Sequence, residues 1–299
     1  MTAPLIAGPL IAGVELGGTK CNCILATGPD DIREEIRIPT TTPEETLSAI
    51  EAVLDRWTGY EALGIASFGP VSIDPQAANY GFITATTKAG WTNTDVARRL
   101  AARAGVPTGF NSDVAGAALG EGKWGAAQGL ADHAYITVGT GVGVGLVMHG
   151  EPTSGMTHPE LGHVRTSRLP GDAWPGICTF HGDCVEGMAS GPAIQARTGT
   201  RAPDLALDHP AWDNVTHTLA QLLHTLVLTG IPRRIVLGGG VMTGMPHLLP
   251  MIRTRLVESL GGYGATGDIQ PVDAFVVAAA LGNNAGPLGA IVLGQRALL

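Results

Sequence analysis

Four residues of the kind that bind soft divalent metals fall within 22 positions: His163, Cys178, His181 and Cys184. Imidazole and thiolate at C-x2-H-x2-C spacing, with one further histidine, suit a tetrahedral Zn²⁺ whose positions are all taken by protein. Such a site leaves no opening for a substrate or an activated water. The metal is therefore expected to hold a loop in shape, with the chemistry beside it. Two carboxylates flank the ligands, Glu160 three residues before His163 and Glu186 two beyond Cys184. Directed by a fixed loop, they could accept hydrogen bonds from a polyhydroxylated substrate. The plainer alternative is a pair of solvated surface acids.

Three glycine-rich turns follow apparent strands: Glu15–Lys20, Thr137–Gly145 and Leu237–Met242. Glycine lets backbone N–H groups approach phosphate oxygens, and threonine or lysine can complete the shell. Gly17, Gly18, Thr19 and Lys20 in the first turn, and Gly139, Thr140 and Gly141 in the second, are the candidates. Any one turn is weak, but three in one chain favour a nucleotide. A P-loop is excluded because Trp124 follows Lys123 where a Mg²⁺-binding Ser or Thr is needed. Asp113 stands where a strand gives way to a helix. It is either a helix cap or a general base in a cleft.

Composition sets the frame. The chain has 299 residues, 44% hydrophobic, enough for one large or two modest domains. A net charge of −8 argues against nucleic acid or an anionic membrane as partner. No apolar stretch approaches the length of a membrane span, and Met1–Ala12 reads as a first strand rather than a signal peptide. Two cysteines needed as thiolates imply a reducing cytosol. Cys21 and Cys23 share one strand face and read as a buried, inert pair, with a second metal site or a redox pair as the alternative.

Strand-like runs at Leu10–Leu16, Cys21–Ala26, Ile32–Ile38 and Ala62–Ser67 precede an expected helix over Asn93–Ala104, stopped by Gly105. Thr42-Pro43-Glu44-Glu45 is a helix start, and Thr108–Asn111 leads into a helix at Asp113. A second cycle opens with Ala134–Val138, a Gly/Thr turn and Val142–Met148, repeating the first hairpin about 120 residues on. Helices are expected near 191–197 and 212–229, with a strand at Arg234–Leu237. Alternating strands and helices mean an α/β fold, and the repeated hairpin suggests two lobes of related topology.

Together these residues resemble the ROK family, which groups sugar kinases, open reading frames and repressors. The resemblance runs from Gly13 to about Gly289. Val14–Lys20 is similar to the family's first phosphate motif and Thr137–Gly143 to its second. Leu237–Met242 is similar to the adenosine-side glycines, and Ser190-Gly191-Pro192 to a segment near the nucleotide. His158–His163 with the Cys/His loop resembles the zinc signature. The resemblance implies a two-lobed, actin-like (ribonuclease H-like) ATPase fold with an inserted zinc loop over residues 158–186. It implies a smaller lobe over 1–112, rejoined by a C-terminal helix at 285–299, and a larger lobe over 113–284.

It further implies that Asp113 deprotonates the acceptor hydroxyl while Glu160, His163, Glu186 and Asn111 hold the sugar. His163 would serve zinc through one nitrogen and the sugar site through the other. Gly238, Gly239, Gly240, Val241, Met242 and Pro192 would line the nucleotide, and Glu15 would help place Mg²⁺ of a Mg-ATP co-substrate. His181 in place of a central cysteine, Glu at position 15 and Thr86–Trp91 resemble the fructokinase branch. Ser112 and Ala115 depart from the usual asparagines. The implied activity is ATP-dependent phosphorylation of fructose at C6 by a cytoplasmic homodimer. A repressor would need a helix-turn-helix ahead of the first motif, where 14 residues precede Glu15.

Overall fold

The computed structural model describes residues 8–264 and 268–299. Residues 1–7 of the expected Met1–Ala12 strand lie outside that range, and the first strand begins at Ile11. The chain divides into two compact units, Met1–Trp124 with Ser154–His158 and Asn284–Leu299, and Gly125–Thr153 with Pro159–Asn283. Each is described in turn.

The first unit contains β1 (Ile11–Leu16), β2 (Lys20–Gly28), β3 (Asp31–Pro39), α1 (Pro43–Arg56), β4 (Ala62–Ser67), β5 (Phe82–Ile83), β6 (Thr94–Asp95), α2 (Ala97–Ala104), β7 (Thr108–Ser112) and α3 (Asp113–Trp124). Its main sheet has the order β3-β2-β1-β4-β7. The first three strands are antiparallel, and β1, β4 and β7 run parallel. The α1 start is the expected one: the Thr42 hydroxyl accepts the Glu45 N–H and Pro43 stands at the first helical position. Asn93–Ala104 is not one helix. Asn93 takes φ 58°, a left-handed conformation that a helix does not admit, and Thr94–Asp95 pairs with Phe82–Ile83. The helix that remains ends, as expected, on left-handed Gly105.

One face of this sheet is covered by the C-terminal helix, Ala285–Arg296, which approaches through glycines. A Cβ on Gly64 of β4 would lie 1.8 Å from the Ala290 carbonyl, and one on Gly109 of β7 would lie 2.2 Å from that of Leu293. The same helix meets α3 through Gly289, whose added Cβ would lie 2.0 Å from the Gly116 carbonyl. Glycine here shortens the distance between backbones, so α3 is held hard against the sheet. Its first residue is Asp113.

The second unit contains β8 (His133–Val138), β9 (Val142–Met148), β10 (Glu151–Pro152), α4 (Val185–Ala189), α5 (Gly191–Thr198), α6 (Ala211–Thr229), β11 (Ile235–Gly238), α7 (Gly239–Gly244), α8 (Leu248–Leu260), α9 (Val272–Phe275) and β12 (Val276–Ala278). Its sheet order is β10-β9-β8-β11-β12, again antiparallel on one side and parallel on the other. The strand plan of the first unit is thus repeated, the mixed sheet of the actin-like, ribonuclease H-like fold. Its core gathers Ile136, Val138, Trp212, Leu219, Leu223, Leu226, Ile235 and Phe275, all buried. No described helix is long and apolar enough to cross a membrane.

Candidate active site and metal centre

The segment after β10 carries the four candidate metal ligands, and short backbone contacts shape it. Cys178 and Gly182 exchange hydrogen bonds of 3.1 and 2.9 Å, closing a tight turn on left-handed Gly182 that brings His181 back to Cys178. The Val185 N–H donates to the Val164 carbonyl at 3.1 Å, drawing Cys184 towards His163. Gly187 allows the turn to pack, since a Cβ there would lie 2.0 Å from the Gly182 carbonyl.

The four ligand atoms of His163, Cys178, His181 and Cys184 lie within 4.8 Å of one another. Cys178 Sγ is 3.6 Å from His163 Nδ1 and 3.7 Å from His181 Nδ1, and Cys184 Sγ is 3.5 Å from His163 Nδ1. A tetrahedron with Zn–S near 2.3 Å and Zn–N near 2.0–2.1 Å has S···N edges of roughly 3.6 Å. The spacing and the donor set both fit zinc. Burial pushes the Cys184 thiol up to about 11, with the Cys178 thiol adding to the rise. A coordinated cation reverses that preference by stabilising the thiolate.

The two flanking acids are drawn to the same place. The turn Leu161–His163 lies against the start of β9, where a Cβ on Gly162 would sit 1.7 Å from the Val142 carbonyl. That seat brings His163 Nε2 to 3.9 Å from Glu186 Oε1. Glu186 Oε2 in turn accepts the Val142 N–H at 3.1 Å. The Glu160 side chain keeps solvent access, yet desolvation of its carboxyl and then the Glu186 charge push it up to about 7. His163 thus turns Nδ1 to the sulfurs, with Nε2 on the side of Glu186.

A cleft of about 460 Å³ lies in the same unit, lined by Gly139, Thr140, Pro192, Gly240 and Val241 among others. Those five were legible as nucleotide candidates. Gly238, Gly239 and Met242 do not line it: added Cβ atoms on Gly238 and Gly239 would strike the Tyr135 ring and the Val138 backbone. Gly141 instead makes room for Glu186, whose Oε2 would lie 2.6 Å from a Cβ there. Gln195, Arg201, Pro203 and Met245 also line it and carried no sequence signal. Arg201 has no anionic partner among the described residues.

In the first unit the turn after β1 leaves Gly18, Thr19 and Lys20 exposed. Gly17 donates to the Lys20 carbonyl at 3.0 Å, and the Thr40 hydroxyl donates to Gly17 at 2.7 Å, which holds the turn. Glu15 beneath it accepts a hydrogen bond from Asn22. Burial raises its carboxyl above the ordinary range despite that bond and the Lys20 charge. At the head of α3 the cap is Ser112, whose Oγ accepts the Ala115 N–H at 3.3 Å. Asp113 Oδ1 accepts the Val114 N–H at 2.8 Å, and Asn111 Oδ1 accepts that of Ser112 at 2.8 Å. Cys21 and Cys23 lie 3.9 Å apart, both fully buried.

Known proteins resemble this chain over nearly its whole length. A fructokinase from Pediococcus pentosaceus is 40% identical over 291 residues, covering 97% of this chain and 99% of that protein. A ROK hexokinase from Thermus thermophilus superposes with a TM-score of 0.79 at 26% identity, over 97% of this chain and 99% of that one. A ROK family glucokinase from Streptomyces griseus, in complex with glucose and AMPPNP, gives 0.77 at 26% identity, over 96% and 99%. The ROK family sequence profile matches residues 11–297, and with that span of nearly the whole length the chain belongs to the ROK family.

Proposed function

We propose that this protein is an ATP-dependent fructokinase that converts D-fructose to fructose 6-phosphate. The reading is carried by the 40% identity to a curated fructokinase over nearly the full length of both chains. Glu160, His163 and Glu186 converge beside a Cys/His centre, which supplies the polar surface a polyhydroxylated substrate needs.

In this mechanism Asp113 removes the proton from the C6 hydroxyl, whose oxygen attacks the γ-phosphorus in line as the bond to the bridging β-phosphate oxygen breaks and ADP leaves. Glu160, His163, Glu186 and Asn111 orient the sugar. Mg-ATP is the co-substrate, held by the glycine turn at Gly17–Lys20 and by Gly139, Thr140, Pro192, Gly240 and Val241 of the cleft; Gly238, Gly239 and Met242 belong to the strand end and helix that carry Gly240 and Val241. Glu15 helps place the Mg²⁺ of Mg-ATP. Backbone N–H groups neutralise phosphate charge as it develops, and orientation supplies most of the remaining acceleration. The zinc held by His163, Cys178, His181 and Cys184 is structural; it fixes the loop and enters no chemical step. We further propose a cytoplasmic homodimer that takes small molecules only, without nucleic acid or membrane partners.

A coupled assay of ATP consumption over fructose, glucose, mannose and N-acetylmannosamine tests the assignment. The expected result is the highest kcat/KM with fructose. Preference for glucose, mannose or N-acetylmannosamine makes it another ROK hexose or N-acetylhexosamine kinase. Absence of sugar-dependent ATP consumption removes the kinase reading.

A further inference from the structure

The metal-bearing loop is fastened a second time, away from its ligands. Asp172 takes both arms of the Arg197 guanidinium, Nη2 to Oδ1 at 2.7 Å and Nη1 to Oδ2 at 3.3 Å. The same carboxylate meets Arg168 at 3.2 Å and accepts the Trp174 N–H at 3.2 Å, with its side chain 8% exposed. Arg168 continues to Asp183 Oδ2 at 3.1 Å and to the Trp174 carbonyl. The Trp174 ring lies 5.2 Å from the Arg197 guanidinium. A two-armed guanidinium–carboxylate pair is directional as well as charged, and this one is sheltered from the screening that weakens surface pairs.

The two ends of this network are informative. Asp183 directly precedes the ligand Cys184. Arg197 stands in the last turn of α5, whose Gly191, Pro192 and Gln195 line the 460 Å³ cleft. At eight residues α5 is too short to hold itself, so its orientation depends on what grips it. Its start is capped by Ser190, and Arg197 grips the other end.

We propose that Asp172 and Arg197 are positioning residues that join the metal loop to the nucleotide wall. Losing the metal then weakens nucleotide binding through α5. This rests on reading the cleft as the nucleotide site. Metal loss frees Cys184 and with it Asp183; Arg168 loses one anchor, Asp172 shifts, and the last turn of α5 is released. Two sites that share one held element have a physical route for coupling.

The test is ADP binding by calorimetry without sugar, on the full-length protein, before and after chelation. Hydrogen exchange of the α5 amides is followed in parallel. Wild type should lose roughly tenfold in ADP affinity on chelation, within the range typical of coupled sites. Asp172→Asn should show a similar loss with its metal still bound, faster α5 exchange, and little further change on chelation. Arg197→Lys keeps the charge but not the fork and should behave alike; it carries the test should Asp172→Asn fail to fold. Wild-type ADP affinity and α5 protection in both variants, or a full tenfold further loss on chelating them, overturns the proposal. A wild-type protein that binds no ADP overturns the nucleotide reading instead, and the α5 exchange then accepts or rejects the fastening alone.

Discussion

Val142 donates its backbone N–H to Glu186 Oε2 across 3.1 Å. Residues 44 positions apart are thereby joined, one at the second glycine turn and one just past the last metal ligand. The contact exists because Gly141 has no side chain to occupy the space. Gly141→Ala pushes against the mobile end of Glu186 rather than against backbone, so the fold should survive while the carboxylate moves. Turnover should fall roughly ten- to hundredfold, as for a small misplacement at a reacting centre. Steady-state kinetics beside a melting curve separates the two effects, and unchanged turnover removes Glu186 placement from the mechanism.

At the head of α3 the cap is Ser112, and Asp113, the proposed base, stands next to it. Ser112 satisfies the Ala115 N–H, so Ser112→Ala should cost about 1 kcal/mol of stability. Asp113→Asn should leave stability and ATP binding close to wild type and lower turnover at least about a hundredfold. Denaturant melts and sugar-dependent ATP consumption measure both. An Asp113→Asn enzyme with near-full turnover removes Asp113 as the base.

Metal analysis should find one zinc per chain, from the closed set of four ligands. Cys178→Ser should abolish binding. Most of the second unit's core comes from its sheet and long helices rather than from this loop, so exchange should rise across residues 160–186 before the sheet strands open. A well-folded, active preparation without zinc contradicts this.

Glu15 makes activity and stability oppose each other. Its folded carboxyl is raised by burial, so the native state holds its proton more tightly than the unfolded chain does. Its contribution is fully present below the ordinary carboxyl range, near pH 4, and is lost as pH rises through the folded value. Glu15→Gln removes the charge that burial disfavours. The variant should melt at the same temperature as wild type in acid and at a higher one at pH 8, with lower kinase activity. Equal melting temperatures at pH 8 reject the argument.

The glycines under the C-terminal helix should be intolerant. Gly64→Ala drives a methyl into the Ala290 carbonyl, where backbone must move. A loss of about 3 kcal/mol or more is expected, at the top of the range for overpacked cores, read by chemical denaturation.

The candidate metal ligands were legible because four residues of two scarce types, His and Cys, fall at a recognisable spacing. The repeated hairpin was legible because Gly/Thr turns and period-two strands are local signals. Gln195, Arg201 and Met245 were not, since nothing in a short window marks which residues of separate segments share a cleft wall. The alternative cap role of Asp113 went to Ser112, a neighbour of equal capping propensity, which only coordinates can distinguish. Asn93–Ala104 misled because its apolar spacing is helical while Asn93 itself adopts a left-handed turn.

The helix that covers the first sheet is made long after its strands. Leu16 and Ala285 are 269 positions apart. At ordinary translation speeds, the strands of that sheet wait on the order of tens of seconds for their cover. The nascent chain therefore leaves the ribosome with a bare apolar surface studded with glycine, a natural client for chaperones. A premature stop that removes only the final turns should harm the part of the molecule synthesised first.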